Sequence, residues 1–154
     1  MVYDLRQREI PMVFTLICLA GAGIVAILQG LWAPFALSAA LIVISDIHFP
    51  GQRWILAGIA CLLASIIQPA DLSLNLFTLV IWSFWDFGLI GGADAKLLIA
   101  ILLVTGNPAV LIPIFLAGGV QGLIARLRKK TEIPFVVSIF AGSFVFLLTP
   151  LIHI

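Results

Sequence analysis

An aspartate and a lysine stand where a glycine pair gives way to a new apolar run, in Gly91-Gly92-Ala93-Asp94-Ala95-Lys96-Leu97-Leu98. Charges in so apolar a context are expensive to bury and mark a functional site by default. The glycines admit a sharp turn and a close approach of backbone. Asp94 falls near the start of a helix expected to continue from Leu97 to Val104, where exposed N–H groups and the positive dipole end favour an anion. A lone carboxylate there only caps the helix. A second carboxylate beside it changes the chemistry. Two such groups held close cannot both ionise cheaply, so one keeps its proton at a raised pKa and the other stays charged. Water held between them gives a proton to the ionised member as it attacks a peptide carbonyl, and the protonated member supports the developing oxyanion. The helix dipole assigns the ionised role to Asp94. Such hydrolysis needs no cofactor and no metal.

The elements that must position these groups are apolar almost throughout. Of 154 residues, 63% are hydrophobic and 10% charged, with a mean hydropathy of +1.26. A soluble domain carries about 25% charged residues. The composition therefore predicts an all-α, polytopic membrane helix bundle of about seven transmembrane helices, with residues 1–154 forming a single integral-membrane domain. Turn signals divide the chain into runs at about Met12–Leu28, Phe35–Ile44, Trp54–Ile67, Leu74–Ile90, Asp94 to Gly106, Ala109–Ile124 and Pro134–Ile152. Several are shorter than the roughly 20 residues that cross a bilayer. Numbering the connections alternately puts every Lys and Arg on one side: Arg6 and Arg8, Arg53, Lys96, and Arg126 to Lys130. Positive charge marks the cytoplasmic side. The same parity brings Asp4, Asp46 and Asp94 to that side. Cys18 and Cys61 lie within apolar runs and read as core residues. No basic-aromatic surface suggests nucleic acid.

Three segments together carry a resemblance. Asp4-Leu5-Arg6-Gln7-Arg8-Glu9-Ile10-Pro11 resembles the aspartate segment of the type IV prepilin peptidase family, an Asp followed by basic residues and then Ile-Pro. Gly91 to Lys96 is similar to that family's Gly-x-Gly-Asp segment followed by Lys, with Ala93 where Gly is usual. Arg128-Lys129-Lys130-Thr131-Glu132-Ile133-Pro134-Phe135, after Gly118-Gly119, is similar to the family's basic loop and Ile-Pro-Phe entry into its last helix. The matches follow the family's order and span most of the chain. They imply an intramembrane aspartyl endopeptidase. Its substrate is a pilin-like precursor, cut at the cytoplasmic face of a prokaryotic cell membrane, and its other partner is the lipid bilayer. By carry-over, Asp4 and Asp94 are the catalytic pair, and Gly91, Gly92, Lys96, Arg6 and Pro11 support the motifs. The family's first aspartate ends a preceding helix, and only Met1, Val2 and Tyr3 precede Asp4, so that helix is expected to be missing. The cysteine domain of the pilin-methylating enzymes is also missing, and no methyltransferase activity is expected.

Asp46 competes with Asp4 for the role of first aspartate. It ends an apolar run and stands two runs before the Gly91–Asp94 turn, the simplest family spacing, but Ile47-His48-Phe49-Pro50-Gly51 match the motif poorly. Asp86, flanked by Trp85 and Phe87, reads as an interfacial residue before a catalytic one. Lys96 reads as an interfacial anchor whose stem can snorkel. Gly118, Gly119 and Gly122 read as sites of close helix contact. Two other classes stay open: a small polytopic carrier, and a non-catalytic relative that assists assembly.

Overall fold

A computed structural model describes residues 12–47, 50–127 and 135–152. Seven α-helices occur among them: α1 (Met12–Leu28), α2 (Trp32–Ser45), α3 (Pro50–Ile67), α4 (Leu72–Asp86), α5 (Gly92–Thr105), α6 (Leu111–Leu127) and α7 (Phe135–Ile152). Short 3-10 turns at Pro69–Asp71 and Pro108–Val110 lead into α4 and α6. Each apolar run has become one helix, and no strand appears among the described residues. Two boundaries differ most from the apolar runs. α3 begins at Pro50, before Gln52 and Arg53, because proline is well suited to a first helical turn. α4 stops at Asp86 instead of Ile90.

The expectation of transmembrane helices requires correction. Among the described residues, no helix is long and apolar enough to cross a membrane. The helices run from 14 to 18 residues. At 1.5 Å per residue the longest reaches about 27 Å, against a hydrocarbon thickness of about 30 Å. Short runs, counted as spans because turn signals divided them cleanly, have become short helices.

The alternation of direction holds from α1 to α5, where side-chain contacts fix both ends. At one end Gln29 Nε2 donates to the Val104 carbonyl at 3.1 Å. There too Gln68 Nε2 donates to the Gly30 carbonyl at 2.7 Å, and the Ala33 N–H donates to Gln68 Oε1 at 3.3 Å. These bonds tie the ends of α1, α3 and α5 to the start of α2. At the other end Arg53 pairs with Asp86, Trp82 Nε1 donates to Ser45 Oγ, and Trp54 packs on Phe87. That end gathers the close of α2 and α4 and the start of α3.

α5 is the central element. Ala95, Leu97, Leu98, Ile99, Ala100, Leu102 and Leu103 are all buried. An apolar sequence with no polar face leaves a helix no side to turn to solvent, so it goes inside. α1 lies along α5, and α6 pairs with α7. Their buried residues form one core with α5 and the inner face of α4. α2, α3 and Trp82 of α4 form a second core. Trp85 packs against both. α6 and α7 approach closely at Gly142, where an added Cβ would lie 2.4 Å from Ile114 Cα, whereas Gly119 faces open space. The expected role of Gly119 in helix contact is thus taken by a glycine on the neighbouring helix.

Candidate active site

The turn between α4 and α5 builds the site. Gly88 has φ +71°, a left-handed conformation that glycine adopts without penalty. Its N–H donates to the Trp85 carbonyl at 2.9 Å, and the Leu89 N–H donates to that of Phe84 at 2.8 Å. The sharp turn expected at Gly91 and Gly92 is therefore made three residues earlier.

Gly91 and Gly92 are small for a different reason. Gly91 is extended, with φ −66° and ψ 146°, and precedes the first turn of α5. Its carbonyl accepts from the Ala95 N–H at 2.9 Å. A Cβ on Gly91 would lie 3.3 Å from Asp94 Oδ2, and one on Gly92 would lie 2.8 Å from Trp85 Nε1. The pair leaves room for the Asp94 carboxyl on one side and the Trp85 indole on the other.

Asp94 is the third residue of α5, in its first turn and half-buried. Burial pushes its carboxyl above the usual range. Desolvation thus works against the ionised role for which the helix dipole favours Asp94. Among the described residues the carboxyl has no hydrogen-bond or ion-pair partner, so the capping alternative is not realised as a bond.

Lys96 is buried at 8% exposure, not an exposed anchor. Its Nζ lies 5.3 Å from the centroid of the Trp85 ring, within the range of a cation–π contact. Trp85 thus meets the first two turns of α5 twice, by its edge at Gly92 and by its face at Lys96.

Asp46 follows the last residue of α2, with its side chain exposed. It lies at the same end of the bundle, but no hydrogen bond or ion pair joins it to Asp94. Asp4, Arg6 and Pro11 lie outside the described residues, as does the basic segment from Arg128 to Pro134. α1 nevertheless runs parallel to α5, because Gln29 at its close reaches Val104 near the close of α5. Met12, eight residues after Asp4 in the chain, therefore begins α1 at the Asp94 end.

Sequence reasoning missed two features. Arg53 Nη1 donates to Asp86 Oδ1 at 2.7 Å, with the Asp86 side chain 8% exposed. Trp54 packs on Trp82 and Phe87 at centroid distances of 5.2 and 4.9 Å. A signal was available. Arg53-Trp54 and Trp85-Asp86 place opposite charges beside tryptophans on segments that the parity had already brought to one face.

No family description, curated protein or solved structure matches this chain.

Proposed function

We propose that this chain is an aspartic endopeptidase of the prepilin peptidase type, with Asp94 as one carboxylate and Asp4 as its partner. The observation that carries the reading is the setting of Asp94. It is a half-buried carboxyl with a raised pKa, in the first turn of a central helix, at the end of the bundle where α1 begins. In a pair of close carboxyls the one that keeps its proton can donate to a developing oxyanion, and the ionised one can activate water. Asp46 supports the reading less well as partner, because its exposed side chain would keep a water between the two groups open to bulk solvent.

The substrate is a pilin-like precursor with a short basic leader and an apolar helix. Exposed apolar side chains on the helices, such as Val13, Ile17 and Ile24 on α1, offer surface for such a segment. Together with the alternation that counts every Lys and Arg of the sequence to one side, they support action beside lipid at the cytoplasmic face of a prokaryotic cell membrane.

The test is incubation of the purified chain with a pilin-like precursor, for the wild type and for Asp94→Asn, Asp4→Asn and Asp46→Asn. Cleavage is expected to vanish in the first two and persist in the third. Undiminished cleavage by Asp94→Asn rules the mechanism out. Loss in Asp46→Asn with retention in Asp4→Asn exchanges the partner and keeps the chemistry.

A further inference from the structure

We propose that Trp85 is the positioning residue of the site, seating the first two turns of α5 so that Asp94 and Lys96 are presented together. The proposal rests on the peptidase reading for its functional part and on geometry for the rest.

Three observations converge on this side chain. The indole edge fills the space beside Gly92, with Nε1, Cε2 and Cζ2 at 2.8, 3.2 and 3.4 Å from the point where a Cβ would be. The indole face carries Lys96 Nζ at 5.3 Å. The same ring packs against both cores of the bundle. Gly92 and Lys96 stand four residues apart on one face of α5, and Asp94, two residues from each, stands on the opposite face of the same turn.

The indole is itself held. Its neighbour Asp86 is tied to Arg53 at the start of α3, and its carbonyl accepts from Gly88 in the turn. The last turn of α4 is therefore fixed from the α3 side and transmits that position to α5 through a rigid ring. Lys96 is buried with no carboxylate within ion-pair distance among the described residues. The indole face helps to offset its desolvation. A ring that seats an ammonium and abuts a glycine sets both the height and the rotation of the helix start. Catalytic constellations depend on such placement, since a shift of about 1 Å can change rates on the order of a hundredfold.

The experiment titrates the carboxyl carbon of Asp94 by NMR in carboxyl-labelled protein, for the wild type, Trp85→Leu, Trp85→Phe and Gly92→Ala. Cleavage of a pilin-like precursor is followed alongside. Trp85→Leu frees the start of α5 to shift and is expected to move the Asp94 midpoint and to lower kcat about tenfold or more, with KM within about twofold. Trp85→Phe keeps an aromatic face for Lys96 and is expected to recover part of both. Gly92→Ala pushes the indole from the other side and is expected to move the same midpoint with Trp85 in place. If Trp85→Leu fails to fold, the phenylalanine and alanine variants decide the matter. An Asp94 midpoint unmoved in every folded variant overturns the proposal. A wild-type chain that cuts nothing ends the peptidase reading, and the titration still decides whether Trp85 seats Asp94.

Discussion

Arg53 and Asp86 meet across 2.7 Å at the end of the bundle that carries Asp94, with the carboxylate more deeply buried than the guanidinium. The pair joins the start of α3 to the close of α4, 33 residues apart in the chain. Arg53 Nε is buried without a hydrogen-bond partner, so the pairing is one-pronged and not the two-pronged fork that arginine can form.

Removing one partner should therefore be worse than removing both. Asp86→Ala leaves a largely buried guanidinium unpaired and is expected to lower stability by about 1–3 kcal/mol. Arg53 keeps some access to water, which holds the loss below that of a fully buried pair. The double substitution Arg53→Met with Asp86→Leu should recover much of the loss, because apolar groups of similar volume tolerate the site. Denaturant unfolding of the four proteins in a cycle gives the coupling directly. A double variant no more stable than the worse single one refutes the account.

The raised pKa of Asp94 makes a signed prediction about pH. A carboxyl whose folded value lies above its unfolded value binds more protons in the folded state throughout the window between the two. Stability then falls as pH rises across that window, which opens at the ordinary aspartate value of about 4. Above it, the full penalty of a desolvated anion applies. Asp94→Asn removes the titration, so its stability curve should be flatter in the acid range and should lie above the wild type at neutral pH. Thermal midpoints measured from pH 3 upward check both the slope and the crossing. A wild-type protein that gains stability on moving up from pH 4, by an amount Asp94→Asn abolishes, has the opposite shift.

Thr78 is fully buried on α4, and its hydroxyl has no hydrogen-bond partner among the described residues. A buried polar group left unsatisfied costs about 1–3 kcal/mol. Valine has nearly the same shape, so Thr78→Val should raise stability by about 1 kcal/mol with little change in packing. At fully buried Asn75 one amide nitrogen reaches Ser65 Oγ at 3.4 Å while Oδ1 is unpaired. There the same reasoning predicts a smaller gain for an apolar replacement, since a bond is lost as well. A fall in the Thr78→Val unfolding midpoint would show that the hydroxyl is satisfied in solution.

How legible these features were depends on the range of the physics behind them. Seven helices could be read because Gly, Pro, Asn and Asp punctuate the apolar runs locally, at Gly30, Pro69 and Gly106-Asn107-Pro108. The alternation of ends followed from counting, and the bonds of Gln29 and Gln68 agree with it at the ends of α1, α3 and α5. Membrane spans were inferred from average hydropathy, which does not measure the length of a single helix, and the helices fall short. At the site, composition alone showed that Asp94 and Lys96 were unusual. The indole between Gly92 and Lys96 could not be read, because it comes from another helix. The burial of Asp94 could not be read for a related reason: the dipole is a local property of the helix, whereas desolvation comes from everything packed around it.

Ser45 and Trp82 give a prediction in which the order of two variants matters more than the size of either. Trp82 is fully buried, and its indole N–H donates to Ser45 Oγ at 2.9 Å. The serine hydroxyl donates in turn to the Leu41 carbonyl at 2.9 Å within its own helix. Ser45→Ala removes the acceptor and strands a buried N–H, at a cost of about 1–3 kcal/mol. Trp82→Phe removes the donor but leaves the serine its bond to Leu41, so no polar atom is stranded. The penalty is then for lost volume, in a ring that also packs edge-on against Trp54, and should come to about 1–3 kcal/mol as well. In the double variant the stranded N–H no longer exists. Its loss should match that of Trp82→Phe alone, and the alanine should add almost nothing. Unfolding midpoints of the three variants distinguish this from simple additivity. Losses that sum would mean that the serine contributes through its own helix, not through the indole, and that the close of α2 is held at the site end by packing alone.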